Sequence, residues 1–253
     1  MRFAILGSGS GGNCAIIQSQ QTTLMLDCGF TIKECSKRLQ QLELAPESIN
    51  AIVVTHEHGD HYNGVGPFSR RFKIPVYMTH GSWLPHRCGE LADLNLITPH
   101  IPFTIGDIEI TPFPVPHDAR EPCQYRFGNE NQHLGFLTDT GQLTSHIEAT
   151  LSGCDALVVE FNHDMEMLAN GPYPPTLQSR IAGSKGHLNN QQSEQIIRKL
   201  LHPALKHLVA AHLSEKNNHS DLVDSILYRL VAETLCKITI AEQHSVTPWI
   251  EID

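Results

Sequence analysis

The sequence predicts an α+β fold: two mixed β-sheets, covered by helices on their outer faces. Three observations carry this. First, strand-like patterns followed by helical patterns occur twice, once in each half of the chain, with no repeat, low-complexity tract or linker between them. Second, 253 residues, 40% hydrophobic and only 18% charged, suit one large folded domain spanning 1–253 rather than a disordered chain. Third, residues able to bind metal recur at the ends of apolar strand patterns.

Segments 2–7, 15–18 and 22–27 read as short strands separated by glycine or polar turns. Segment 31–42 reads as an amphipathic helix, with Ile32, Cys35, Leu39 and Leu42 at helical spacing. Further strands are expected at 51–55, 75–78, 108–115, 124–127 and 134–138. The second half offers strands at 156–161 and 207–211. Between them a helix at 190–201 is introduced by Asn189 and Asn190 as N-caps. A helix at 221–235 and a closing strand at 237–241 complete the pattern.

Composition narrows the function. No apolar run approaches the ~20 residues needed to span a bilayer, and the N-terminus lacks the layout of a secretory signal. Seven scattered cysteines without a CxxC fit reduced thiols, so the expected location is the cytoplasm. A net charge of −9 argues against a broad duplex-binding surface. Self-association into a homo-oligomer is left open. Sixteen histidines, against 18 Lys and Arg together, point toward metal chemistry.

The strongest signal is Thr55-His56-Glu57-His58-Gly59-Asp60-His61, directly after the apolar AIVV run. Alternation on an extended segment puts His56 and His58 on one side, while Asp60 and His61 begin a helix and can turn to a second position. Imidazole and carboxylate suit zinc, and also manganese or iron. Two adjacent ligand sets suggest two divalent ions. A lone HxH is more often a polar capping loop, but HxHxDH after a strand favours a metal. More ligands are then needed, and His117, Asp139 and His212 each follow an apolar run and precede a turn. Asp139 is the natural bridge, because a carboxylate has two oxygens. Asp27, also at a strand end, is expected to orient a ligand rather than be one.

In this order the residues resemble the metallo-β-lactamase superfamily: Asp27, then His56/His58/Asp60/His61, then His117, Asp139 and His212. The resemblance implies an αββα sandwich with a dinuclear site at one edge. It places His56, His58 and His117 on one ion, Asp60, His61 and His212 on the other, and Asp139 between them. The opening Gly7-Ser8-Gly9-Ser10-Gly11-Gly12-Asn13-Cys14 is similar to that of the YycJ/WalJ group, an RNase Z-like phosphodiesterase branch. So are Asn162-His163-Asp164, Tyr173-Pro174, Arg180-Ile181, Gly186-His187-Leu188 and the stretch from His212 to Asn218. Asn189 departs from that pattern, where serine is usual; both residues cap helices. The resemblance implies a phosphodiesterase, with DNA exonuclease activity in some members.

The chemistry expected is hydrolysis by a metal-bridging hydroxide, with Asp60 as ligand and proton acceptor. That core serves phosphodiesters, thioesters and lactones alike. His187, in Ser184-Lys185-Gly186-His187 just before a helix, is the discriminator: it could contact a phosphate oxygen or protonate the leaving alkoxide, with Glu160 orienting it. RNase Z-like nucleases use a comparable histidine–glutamate pair. Lys185, which would favour an anion, Arg180 and His163 are further candidates for substrate contact, although an exposed helical arginine is the commoner case and His163 could instead cap the helix that follows. The favoured substrate is a nucleic-acid end or a small phosphodiester. The alternative is a glyoxalase II-like thioesterase or a lactonase.

Overall fold

The computed structural model describes residues 1–253. The chain opens with the antiparallel strands β1 (Arg2–Gly7), β2 (Cys14–Ser19) and β3 (Thr22–Leu26). Helix α1 (Ile32–Gln41) leads to β4 (Ala51–Val53), parallel to β3. Helices α2 (Gly59–Tyr62) and α3 (Val65–Phe72) precede β5 (Val76–Thr79), and α4 (Pro85–Cys88) precedes β6 (Leu94–Ile97). The second half begins with the antiparallel β7 (Phe103–Ile105), β8 (Ile108–Pro114), β9 (Cys123–Gly128) and β10 (His133–Leu137). Then come α5 (Ser145–Leu151), β11 (Ala156–Glu160), α6 (Met165–Asn170), α7 (Pro175–Ile181), α8 (Asn190–Leu200), β12 (His207–Ala211), α9 (Ser220–Val231) and β13 (Lys237–Ile240). The last strand, β14 (Ile250–Glu251), returns to pair with β1. Each sheet has seven strands, ordered β14-β1-β2-β3-β4-β5-β6 and β13-β12-β11-β10-β9-β8-β7.

Both faces of each sheet are buried, which is why the central strands read as unbroken apolar runs. In β1, Phe3 and Ile5 face the other sheet while Ala4 and Leu6 face the outer helices. In β12, Val209 and Ala211 point inward, and Leu208 and Ala210 lie under the helical layer. Cys35 and Leu39 of α1 and Phe68 of α3 cover the first sheet. Ile196 and Ile197 of α8 and Val223 and Leu227 of α9 cover the second. Burying each such side chain contributes about 1.5–3 kcal/mol. The result is the expected αββα sandwich. Tyr125 ties its sheets together by donating its hydroxyl to the Val54 carbonyl at 2.6 Å.

Several expected elements end early for local reasons. Segment 22–27 stops at Leu26 because Asp27 turns left-handed, with φ 57°. Segment 51–55 stops at Val53, and the Thr55 amide turns to Asp27 Oδ1 at 2.8 Å. The helix expected to run to 235 ends at Val231, where Thr234 closes a turn onto the Val231 carbonyl so that β13 can pair with β12. The edge strands β6, β7 and β14 and the helices α3, α4 and α5 were not expected. Asn189 caps α8 in a reciprocal box with Gln192. All seven cysteines are buried and unpaired. No helix is long and apolar enough to cross a membrane.

Candidate active site

The site lies along one edge of the sandwich, where strands from both sheets end. Asp27 follows β3, His56 follows β4, His117 follows β8, Asp139 follows β10, Glu160 closes β11 and His212 follows β12. Asp27, Asp139 and His212 have φ values of 57°, 54° and 57°, a left-handed region that non-glycine residues seldom adopt. Each turns its strand sharply enough to aim its side chain across the edge. The loops pack closely: a Cβ on Gly29 would lie 1.8 Å from the Asp60 carbonyl oxygen, so only glycine fits there.

Each core histidine has one ring nitrogen held by the protein, which points the other into the cleft. His61 Nδ1 lies 2.8 Å from Asp27 Oδ2, His212 Nδ1 2.9 Å from Glu160 Oε1, and His117 Nδ1 3.2 Å from the Gly186 carbonyl. His56 Nδ1 is 2.9 Å from Thr55 Oγ1, and that hydroxyl donates in turn to Asp27 Oδ2 at 2.8 Å. Such outer contacts fix tautomer and ring orientation at metal sites. The free nitrogens and carboxylate oxygens converge: the ligand atoms of His56, His58 and His117 lie within 4.8 Å of one another, as do those of Asp60, His61 and His212, and of His56, His61 and Asp139. His56 Nε2 and Asp139 Oδ2 are buried with no hydrogen-bond partner. Orphaned polar atoms of this kind are costly and rare, and a divalent ion would satisfy both. The residues fit a divalent-metal site.

A sequence model described as the beta-lactamase superfamily domain matches residues 22–212. The chain belongs to the metallo-β-lactamase superfamily. It is 35% identical over 237 residues to a Bacillus anthracis protein named exodeoxyribonuclease YycJ, covering 92% of this chain and 90% of that one. It is 32% identical over 238 residues to exodeoxyribonuclease WalJ of Streptococcus pneumoniae, covering 92% and 88%. The metallo-β-lactamase fold protein YhfI from Bacillus subtilis superposes with a TM-score of 0.71 at 17% identity, over 98% of this chain and 99% of that one. Within the superfamily, the chain therefore groups with YycJ and WalJ.

A fourth group of possible ligand atoms in this metallo-β-lactamase chain, from Asp139, Glu160, His187 and His212, also has its members within 4.8 Å of one another, and Glu160 ties it together. Glu160 is fully buried, and its Oε1 also lies 2.8 Å from His187 Nδ1. Its Oε2 accepts from the Leu188 amide at 2.8 Å, and Oε1 from the Asp139 amide at 3.2 Å. Burial opposes ionisation of Glu160, but His187 and His212 outweigh it and hold the carboxyl at about 2. Burial likewise works against the His187 cation, yet Glu160 raises its pKa above the ordinary value.

A cleft of about 390 Å³ opens over the site, with His58, Asp60, Asp139, His187 and His212 in its floor and walls. Arg180 lines it from α7, with its Nε donating to Asp118 Oδ2. The structure does not bring the other two substrate candidates into the cleft. Lys185 is exposed on the turn before His187, with no partner there. His163 is buried beside a neighbouring hollow, because residues 163 and 189 form a bridge that turns it away. Asp164 caps α6, accepting from Glu166 and Met167 amides at 2.9 and 3.0 Å.

Two contributors carried little sequence signal. Asn13, in the glycine-rich opening, donates Nδ2 to Asp60 Oδ2 at 3.1 Å, and Ser8 Oγ accepts from the His212 amide at 2.8 Å. Only their position in that opening hinted at the site. Asp118 adjoins His117 in sequence and sets Oδ1 3.6 Å from His117 Nε2, and a single aspartate in a loop carries no pattern that marks it.

Proposed function

We propose that this chain is a metal-dependent phosphodiesterase acting on a nucleic-acid end or a small phosphodiester, with all 253 residues forming one catalytic domain. The observation that carries the reading is the His187–Glu160 pair, which we assign to substrate rather than to a metal because both Glu160 oxygens are already engaged by His187, His212 and the Leu188 and Asp139 amides. The names of the YycJ and WalJ relatives support it. A thioester expels a stabilised thiolate and needs no such proton donor, and the lactone reading is disfavoured by the names of the relatives.

We assign two divalent ions, zinc first with manganese or iron as alternatives, to His56, His58 and His117 and to Asp60, His61 and His212, with Asp139 serving both. When bound, such ions supply Lewis acidity and bring the pKa of a water toward about 7. The protein's own groups do the rest. Asp27, Thr55 and Glu160 fix the ring orientations. Glu160 favours the protonated form of His187, whose Nε2–H can then bind a phosphate oxygen and pass a proton to the departing alkoxide. Asp60, oriented by Asn13, is placed to accept the proton of the attacking water. The buried, unpaired thiols support a reducing, cytoplasmic setting.

The test is a comparison of metal-loaded protein on bis-p-nitrophenyl phosphate, S-lactoylglutathione and a lactone. The phosphodiester should have the highest kcat/KM. A preference for the thioester or lactone would overturn the reading.

A further inference from the structure

The cleft wall carries two guanidinium groups, and they differ. Arg180 spends its charge on Asp118. Arg87, on α4 and therefore from the opposite half of the molecule, has no carboxylate within ion-pair distance. It is nonetheless held in place. Its Nη1 donates to the Glu57 carbonyl at 2.5 Å, its Nη2 to Asn63 Oδ1 at 3.4 Å, and its guanidinium carbon lies 5.5 Å from the centroid of the Tyr62 ring. These anchors are neutral. They leave three of its five N–H donors and the whole positive charge unclaimed. They also bracket the ligand run His58–His61 without touching its side chains, so Arg87 is fixed to the site while facing the cleft beside it.

An arginine that is oriented, exposed to a cleft and unneutralised is suited to a phosphate, whose oxygens match its planar fork. We propose that Arg87 binds a second phosphate of the substrate, next to the one being cleaved, and so makes the protein select polyphosphodiesters such as an oligonucleotide end over an isolated phosphodiester. This rests on the phosphodiesterase reading above. It also reconciles a net charge of −9 with a nucleic-acid substrate, since one fixed cation at the cleft needs no basic surface beyond it.

The experiment compares a short single-stranded oligonucleotide, labelled at one end, with bis-p-nitrophenyl phosphate. The proteins are wild type, Arg87→Gln, Arg87→Lys and Arg180→Ala. Glutamine removes the charge while keeping a polar N–H side chain, and a thermal melt of each variant reports on folding. Arg87→Gln should lower the ratio of kcat/KM for oligonucleotide over small substrate by about tenfold or more, mainly through KM. Arg87→Lys should recover part of the loss, and Arg180→Ala should change the ratio less. The dependence of log KM on log salt should become shallower by about one in Arg87→Gln. An unchanged ratio, or an equal fall on both substrates, would sink the proposal. Fluorescence anisotropy of the labelled oligonucleotide on chelator-treated protein separates the two readings. If wild type cleaves neither substrate but binding depends on Arg87, the phosphodiesterase reading fails alone. If it cleaves both and neither binding nor the ratio depends on Arg87, this proposal fails alone.

Discussion

Glu160 and His187 are joined by a 2.8 Å contact between Oε1 and Nδ1, and the same oxygen lies 2.9 Å from His212 Nδ1. One buried carboxylate thus orients both His212, which we assign to a metal, and His187, which we assign to substrate. The two roles separate in variants. His187→Ala should lower kcat on a phosphodiester by about 10²–10⁴ and keep its metal content by elemental analysis. Loss of metal instead would make His187 a ligand. Glu160→Gln should lower both kcat and metal affinity, because it loosens His212 as well.

Asp27 touches no cleft surface, yet its carboxylate holds His61 Nδ1 at 2.8 Å and accepts from both the amide and the hydroxyl of Thr55. Asp27→Ala should weaken metal binding about 10–100-fold, read by competition with a chromophoric chelator. Affinity equal to wild type would show that the backbone alone positions His61.

The residues we assign as ligands come from both sheets, so a bound ion would fasten the two layers together. Removing metal with a chelator should abolish turnover and lower the melting temperature. An ion present at 100 times its Kd adds about 2.7 kcal/mol, equivalent to roughly 5–10 °C for a chain of this size. A melt indifferent to chelator would argue that the site is rigid without metal.

His163 offers a test away from the ligands. It is 1% exposed, and burial depresses its pKa to about 4. The folded protein therefore resists protonating it, while the unfolded chain takes the proton near 6.5. Stability from this residue is full above that value and is lost as pH falls toward 4. Between pH 7.5 and 5, urea melts should show wild type losing about 2 kcal/mol more than His163→Gln. Parallel pH profiles would show that His163 is solvated.

The αββα architecture and the gathering of the candidate ligands at one edge were legible because they rest on short-range patterns. His56, His58 and His61 share one loop, and Asp139 and His212 each end a hydrophobic run that could only be a buried strand. What escaped depends on distant chain. Asn13 reaches Asp60 across 47 residues, and Arg87 finds its anchors at Glu57 and Asn63 after an intervening strand. The strands β6, β7 and β14 were missed because they are edge strands of two to four residues, too short to show a period. Lys185 is a candidate because it is a cation beside His187, and His163 because it belongs to the Asn162-His163-Asp164 stretch, but a turn and a bridge send them elsewhere.

The left-handed backbones of Asp27, Asp139 and His212 have a consequence for selection. Each is a conformation that costs on the order of 1 kcal/mol for a side chain and almost nothing for glycine. A directed-evolution screen that rewards only heat resistance, run without metal, would drift toward glycine first at Asp139, whose buried Oδ2 has no partner, and least at Asp27, whose carboxylate holds Thr55 and His61. The survivors would be tougher and catalytically silent. A thermostability campaign on this scaffold should therefore hold these three codons fixed from its first round.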